Sequence, residues 1–212
     1  VSKHSKDLEN PILSMKGYRH PPLEAQVADC ADGIAYNAHD LDDGITSGLL
    51  DINELRDIAL WNDNEKMLDK KYPRLDMKIK KYQIVRNIIN ELITDFRKNT
   101  LKNIKKCRIK TDDDIRLSPI RIGGFSPECE TKNQQLKKFL FKNMYQHRRV
   151  RRMEFKAELC LTKIFNAYIH NPELLPDTVL NNAGKDSLEK RVCDYVSGMT
   201  DRYAMSEYQK LF

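Results

Sequence analysis

Residues 28–44 read ADCADGIAYNAHDLDDG, and how this stretch is placed decides the rest of the chain. Asp29, Asp32, Tyr36, Asp40 and Asp43 recur at spacings of 3, 4, 4 and 3, which puts all five side chains on one face of a helix. A second set, Leu23, Val27, Ala31, Ile34, Ala38, Leu41 and Ile45, falls on the opposite face and predicts a stripe turned toward a core. The helix so drawn has an apolar back and an acidic front, with one tyrosine on that front and His39 at its edge. Such a front is either a solvated surface or a place where something positive sits.

The charge balance bears on that choice. The 212 residues carry a net charge of +6. From Pro21 to Leu55 there are eight acidic residues and no Lys or Arg, which leaves +14 for the remainder. A surface helix gains by mixing both signs at i,i+4, so an all-acid face gains little as surface alone. A metal ion, or basic side chains from elsewhere in the fold, would balance it. The 40% hydrophobic content suits a folded domain with a real core and excludes a disordered chain. No apolar run reaches the roughly 18–20 residues that a membrane span needs. The first residues, VSKHSKDLENP, hold no apolar segment of signal-peptide type. Cys30, Cys107, Cys129, Cys160 and Cys193 are scattered and never in CxxC spacing, which argues against a structural zinc site and for a reducing, cytoplasmic compartment.

Outward from the acidic helix the pattern is helical throughout, and the expected fold class is all-α. The first helix spans about Pro22–Gly48, between Pro-Pro and Gly punctuation. A short one follows at Ile52–Leu60. A long one at Asp76–Cys107 carries Ile79, Ile84, Ile88, Leu92, Phe96 and Leu101 as its apolar repeat. Residues 111–128, TDDDIRLSPIRIGGFSPE, read as a loop or a short β-hairpin. Helices at Thr131–Gln146, Val150–Ile169 and Asp186–Leu211 complete the chain. Nothing in it suggests a Rossmann or P-loop site.

Four stretches together resemble a known family. EAQVADCADGIAYNAHDLDDGITSGLL (24–50), VRNIINELITDF (85–96), FLFKNMYQHRRVRRMEFKAE (139–158) and RVCDYVSGMTDRYA (191–204) resemble, in this order, segments of the HD-superfamily deoxynucleoside triphosphate triphosphohydrolases, the dGTPase-like enzymes. The resemblance implies an all-α HD-superfamily fragment, with residues 1–110 belonging to the C-terminal part of the catalytic core and 111–212 to the family's C-terminal helical region. It implies a divalent metal, Mg²⁺ or Mn²⁺, held by a His, a His-Asp pair and a distant Asp; the position of that Asp is Asp32. Tyr36 and Asp40 take the positions that contact the deoxyribose and phosphate region of the nucleotide. Lys3, in the family's Lys-His position, is the candidate that reaches the triphosphate, with His4 as its neighbour.

The departures are equally specific. The family's upstream His, its His-Asp pair, and its catalytic His and Glu have no counterpart among His4, His20, His39, His147 and His170, so no catalytic residue of the family is expected in this chain. His39-Asp40 is the one His-Asp dipeptide, and it belongs to the distal motif. With Val at position 1, the chain reads as the C-terminal half of a longer enzyme, inactive by itself. The function implied for the whole is hydrolysis of a deoxynucleoside triphosphate, dGTP foremost, to a deoxynucleoside and triphosphate, by a homo-oligomer. The rival expectation is a non-catalytic module that binds nucleotides or single-stranded nucleic acid, or serves oligomerisation. Its support is the basic groups Lys78, Lys80, Lys81 and Arg86, then Lys102, Lys105, Lys106, Arg108 and Lys110, and the patch Arg148, Arg149, Arg151 and Arg152. Arg191, Asp194, Tyr195, Asp201, Arg202 and Tyr203 alternate with packing residues and are expected to line either a base pocket or a subunit interface.

Overall fold

The computed structural model describes residues 17–180 and 186–212, and these form helices and loops with no strand among them. Lys3 and His4 lie outside the described residues. The chain divides into two compact units, one ending at Tyr145 and the other running from Gln146 to Phe212. That division follows packing, whereas the 110/111 division follows the family's catalytic and C-terminal regions.

In the first unit α1 is Leu23–Thr46, α2 Ile52–Leu55, α3 Ala59–Lys71, α4 Met77–Lys106, α5 Asp112–Leu117 and α6 Pro127–Leu140, continued by a π-helical turn at Phe141–Tyr145. Several boundaries have a local cause. Asp51, Asp76 and Ser126 accept hydrogen bonds from the backbone N–H groups of Asn53, Lys78 and Cys129, and so cap α2, α4 and α6. α1 ends where Gly48 turns to φ +71°, while the Gly48 and Leu49 N–H groups bond back to the Ile45 and Gly44 carbonyls at 3.2 and 2.9 Å. α1 and α3 both pack on α4, and α6 packs on α1 and α3. Their core holds Leu41, Leu60, Trp61, Ile84, Ile88, Leu92 and Leu136, all essentially inaccessible to solvent.

The α1 stripe is rotated from its expected position. Ile34, Ala38 and Leu41 are buried, but Val27 and Ala31 are exposed and Leu23 is half-buried. Gln26, Asn37 and Gly44 fill the buried face instead. Polar side chains can do so because distant groups satisfy them: Gln26 Oε1 accepts from Gly123 N at 2.7 Å, Gln26 Nε2 donates to Pro21 O at 2.7 Å, and Asn37 donates to Asn133 Oδ1 at 3.4 Å. A Cβ on Gly44 would meet Leu50 Cδ1 at 2.5 Å, so the smallest residue stands at the closest approach.

Between residues 111 and 128 the loop is present and the hairpin is not. Thr111 and Asp114 form a reciprocal capping box that starts α5. The backbone beyond it spends its hydrogen bonds on side chains rather than on a second strand. Asn103 donates to the Ile122 carbonyl, Asn99 to those of Gly124 and Phe125, and Asp95 accepts from Ser126 N. With those groups satisfied, a strand partner has nothing to add.

In the second unit α7 is Arg148–His170, followed by a 3₁₀ turn at Pro172–Leu174, α8 at Asp177–Leu180, α9 at Leu188–Ser197 and α10 at Asp201–Leu211. α9 and α10 pack on α7 over Cys160, Ile164, Tyr168, Val192 and Ala204. The single helix expected at 186–211 is therefore two. Gly198 ends α9, and the Thr200 hydroxyl accepts from Tyr203 N to open α10.

Candidate functional site

α1 carries the expected stripe, and its residues differ in what surrounds them. Asp29, at one end, meets a cation: Arg121 Nη2 donates to its Oδ2 at 2.6 Å, in an exposed pair. Asp32, one turn on, is exposed and has no side-chain partner among the described residues. Tyr36, 49% exposed, stacks on Tyr145 with ring centroids 6.2 Å apart and planes 9° from parallel. Asp40 is half-buried, and its Oδ2 is shut away from solvent with no hydrogen-bond partner.

The electrostatics follow from this placement. Burial pushes the Asp40 carboxyl above its ordinary range, the Asp43 carboxylate adds to the push, and His39 opposes it. Burial also raises the Tyr36 phenol, with the Asp40 charge as the second cause. Tyr36 and Asp40 are thus coupled neighbours, and the site holds an acceptor with no donor. It can accept a hydroxyl hydrogen, and it can carry a carboxylate toward a cation.

Among the described residues no cluster of three or more His, Cys, Asp or Glu side chains could hold a metal ion. Asp32 offers a single open carboxylate, so the described residues do not make a metal centre by themselves. The basic groups also sort themselves. Lys80 pairs with Asp69, Arg151 with Glu154, and Lys81 donates to the Thr46 hydroxyl. Arg97, Lys98, Lys102, Lys105, Lys106 and Arg108 are exposed and make no ion pair among the described residues.

The GMTDRYA motif lies in the second unit, along a cleft of about 480 Å³ lined by Asp194, Tyr195, Gly198, Met199, Thr200 and Tyr203. Its polar groups are largely taken. Lys190 donates to Asp194 at 2.8 Å, the Tyr195 and Tyr203 hydroxyls bond each other at 2.9 Å, and Arg191 Nη1 donates to the Val179 and Leu180 carbonyls at 3.4 and 3.1 Å.

Tyr145 was not among the residues singled out from the sequence. It lies within one of the family-like stretches, but a continuous helix over 131–146 gives it no special face. The π-helical turn at Phe141–Tyr145 alters the phase and carries the ring onto Tyr36.

A helical phosphohydrolase-associated chain is the class that this architecture and the comparisons define: residues 123–210 match the family described as Phosphohydrolase-associated domain. Over its whole length the chain is 39% identical to the deoxyguanosinetriphosphate triphosphohydrolase-like protein of Geobacter sulfurreducens, covering 56% of that protein. It is 38% identical over 91% of its length to the protein of the same description from Bordetella pertussis, covering 50% of it, and 37% identical over 92% to that of Thiobacillus denitrificans, covering 51%. The chain belongs to the family of deoxyguanosinetriphosphate triphosphohydrolase-like proteins. It spans about half the length of the curated relatives it matches.

Proposed function

We propose that this chain is part of a metal-dependent deoxynucleoside triphosphate triphosphohydrolase, with dGTP as its foremost substrate and a deoxynucleoside and triphosphate as products. The observation that carries the reading is the unpaired, half-buried carboxylate of Asp40 beside Tyr36, on the same helix face as the open carboxylate of Asp32. A buried acceptor without a donor is costly, and a sugar hydroxyl entering the site relieves that cost. A substrate lacking the hydroxyl would leave Asp40 unpaired, which makes the same group a means of selection. Asp32 would supply one ligand to Mg²⁺ or Mn²⁺, and the remaining ligands and the proton-handling His and Glu would come from outside this chain. When bound, the metal would supply Lewis-acid assistance at the phosphate. Lys3 remains the candidate for the triphosphate. The enzyme is proposed to be cytoplasmic and homo-oligomeric, and this chain alone to be inactive.

The test is made on the natural, full-length protein, wild type beside Asp32→Ala, incubated with dGTP and Mn²⁺ or Mg²⁺. Deoxyguanosine and intact triphosphate from the wild type only is the expected result. Equal turnover by both would remove Asp32 from the metal site, and no turnover of any dNTP would remove the reading.

The unpaired cations Arg97 to Arg108 on α4 and just past its end favour one second reading, a non-catalytic surface for single-stranded nucleic acid. Its mark would be binding whose logarithm falls linearly with the logarithm of salt, by about 0.7 per phosphate contact.

A further inference from the structure

We propose that Tyr145 is a positioning and binding residue of the nucleotide pocket. Its ring fixes Tyr36, and its hydroxyl waits for an acceptor that arrives with the ligand. This rests on the reading of Tyr36 and Asp40 given above, and it stands on three features of the first unit.

The first is the π-helical turn itself. Phe141–Tyr145 continues α6 with one wide turn, a rare conformation that recurs at functional sites. It displaces Tyr145 from where an unbroken α6 would put it.

The second is the stack. The Tyr145 ring lies parallel to that of Tyr36, offset, and is backed by Phe141 with centroids 6.4 Å apart. Tyr145 and Met144 also pack against the buried core, so one side of the pair is anchored. Tyr36, by contrast, is half-exposed on α1 and has no hydrogen bond among the described residues. The stack is what limits where its ring can go, and an ordered ring binds a sugar face at less entropic cost than a free one.

The third is the hydroxyl. Tyr145 Oη is shut away from solvent and has no partner, although a buried tyrosine ordinarily finds one. Phenylalanine would fill the same space without that cost. A tyrosine kept there suits a donor whose acceptor is absent from the free site, and the oxygens of a deoxynucleotide are acceptors of the right kind.

The experiment compares Tyr145→Phe, Tyr145→Leu and Tyr36→Leu with the wild type in the natural, full-length protein, reading thermal midpoint without nucleotide and kcat and KM with dGTP. Tyr145→Phe is expected to keep or raise the thermal midpoint of the free protein while raising KM about five- to tenfold, the share of one hydrogen bond. Tyr145→Leu is expected to raise KM further, to the level of Tyr36→Leu. A lowered midpoint with unchanged KM in Tyr145→Phe would assign the hydroxyl to the fold and overturn the proposal. A Tyr145→Leu KM no higher than that of Tyr145→Phe would overturn the role of the ring. If Tyr36→Leu itself leaves KM unchanged, the reading of the pocket fails, independently of Tyr145.

Discussion

Two of the four family-like stretches treat their polar groups in opposite ways. On α9 and α10 most polar groups are spent on folding: Asp194 on Lys190, Tyr195 on Tyr203, Arg191 Nη1 on the carbonyls that end α8, and Thr200 as a cap, while Arg191 Nε is buried without a partner. On α1, Asp32 is open and Asp40 holds a buried oxygen with no donor. Similar motif quality thus corresponds to two physical conditions. A satisfied network lowers the free energy of the fold, whereas an unsatisfied group raises it and is tolerable where a ligand completes it. The contrast favours the proposed ligand site at α1 and casts the second motif as a brace.

The largest break in that contrast would come from Asp32→Ala. Turnover of dGTP by the full-length protein is expected to fall at least about 100-fold, since even losing a group that merely orients a metal ligand costs about 10–100-fold. Its thermal midpoint should stay near that of the wild type, because Asp32 is exposed and its side chain makes no hydrogen bond or ion pair among the described residues. Next is Asp40→Asn, with kcat/KM for dGTP lowered roughly 10- to 100-fold, the worth of one hydrogen bond to a charged acceptor. Here the pH dependence of stability supplies a second readout. The folded carboxyl is raised above its unfolded value of 3.8. The native state therefore binds the proton more readily, and this contribution to stability is full below the unfolded pKa and lost as pH rises through the folded one. A thermal-midpoint profile upward from pH 3.8 should fall less steeply in Asp40→Asn than in the wild type.

Arg191→Met tests the brace. It strips the Val179 and Leu180 carbonyls of their donor and should cost about 1–3 kcal/mol by chemical denaturation, with KM for dGTP unchanged. A KM effect there would bring the two regions under one rule. Thr200→Ala removes the cap that separates α9 from α10 and should cost about 1 kcal/mol, again without a change in KM.

How far the sequence carried this contrast depended on the range of the interactions. The α4 repeat was readable because Ile84, Ile88, Leu92 and Phe96 share one face of one helix, and their burial follows from local spacing. The ends of that repeat were not: Ile79 and Leu101 lie exposed, because each stands five residues from Ile84 or Phe96 and so turns off the buried face, which Thr100 occupies instead. The phase of α1 was misjudged by about one position because Gln26 and Asn37 are buried by partners about 96 residues away, which periodicity cannot supply. The split between α9 and α10 was carried by Gly198 and Thr200, two residues that apolar spacing passes over. Asp32, Tyr36 and Asp40 were legible as a stripe. That Tyr145 meets it depends on a π-turn, which has no local sequence signal.

The smallest expected effect gives the finest discrimination, because it compares carboxylates on one helix face. Asp29 differs from Asp32 in having a partner, Arg121, but both members of that pair are about half-exposed. Solvent and salt screen such pairs, and their worth is about 0–1 kcal/mol. Asp29→Asn should therefore shift the denaturation midpoint barely, and the shift should vanish in high salt. Arg121 keeps its bond to the Gly123 carbonyl at 3.2 Å, so the loop under α1 has no reason to move. If kcat/KM is also unchanged, the acidic face divides between one carboxylate balanced within the chain and others held open for a ligand. A tenfold loss of kcat/KM in Asp29→Asn would instead make the whole face one electrostatic unit, with Arg121 as part of it.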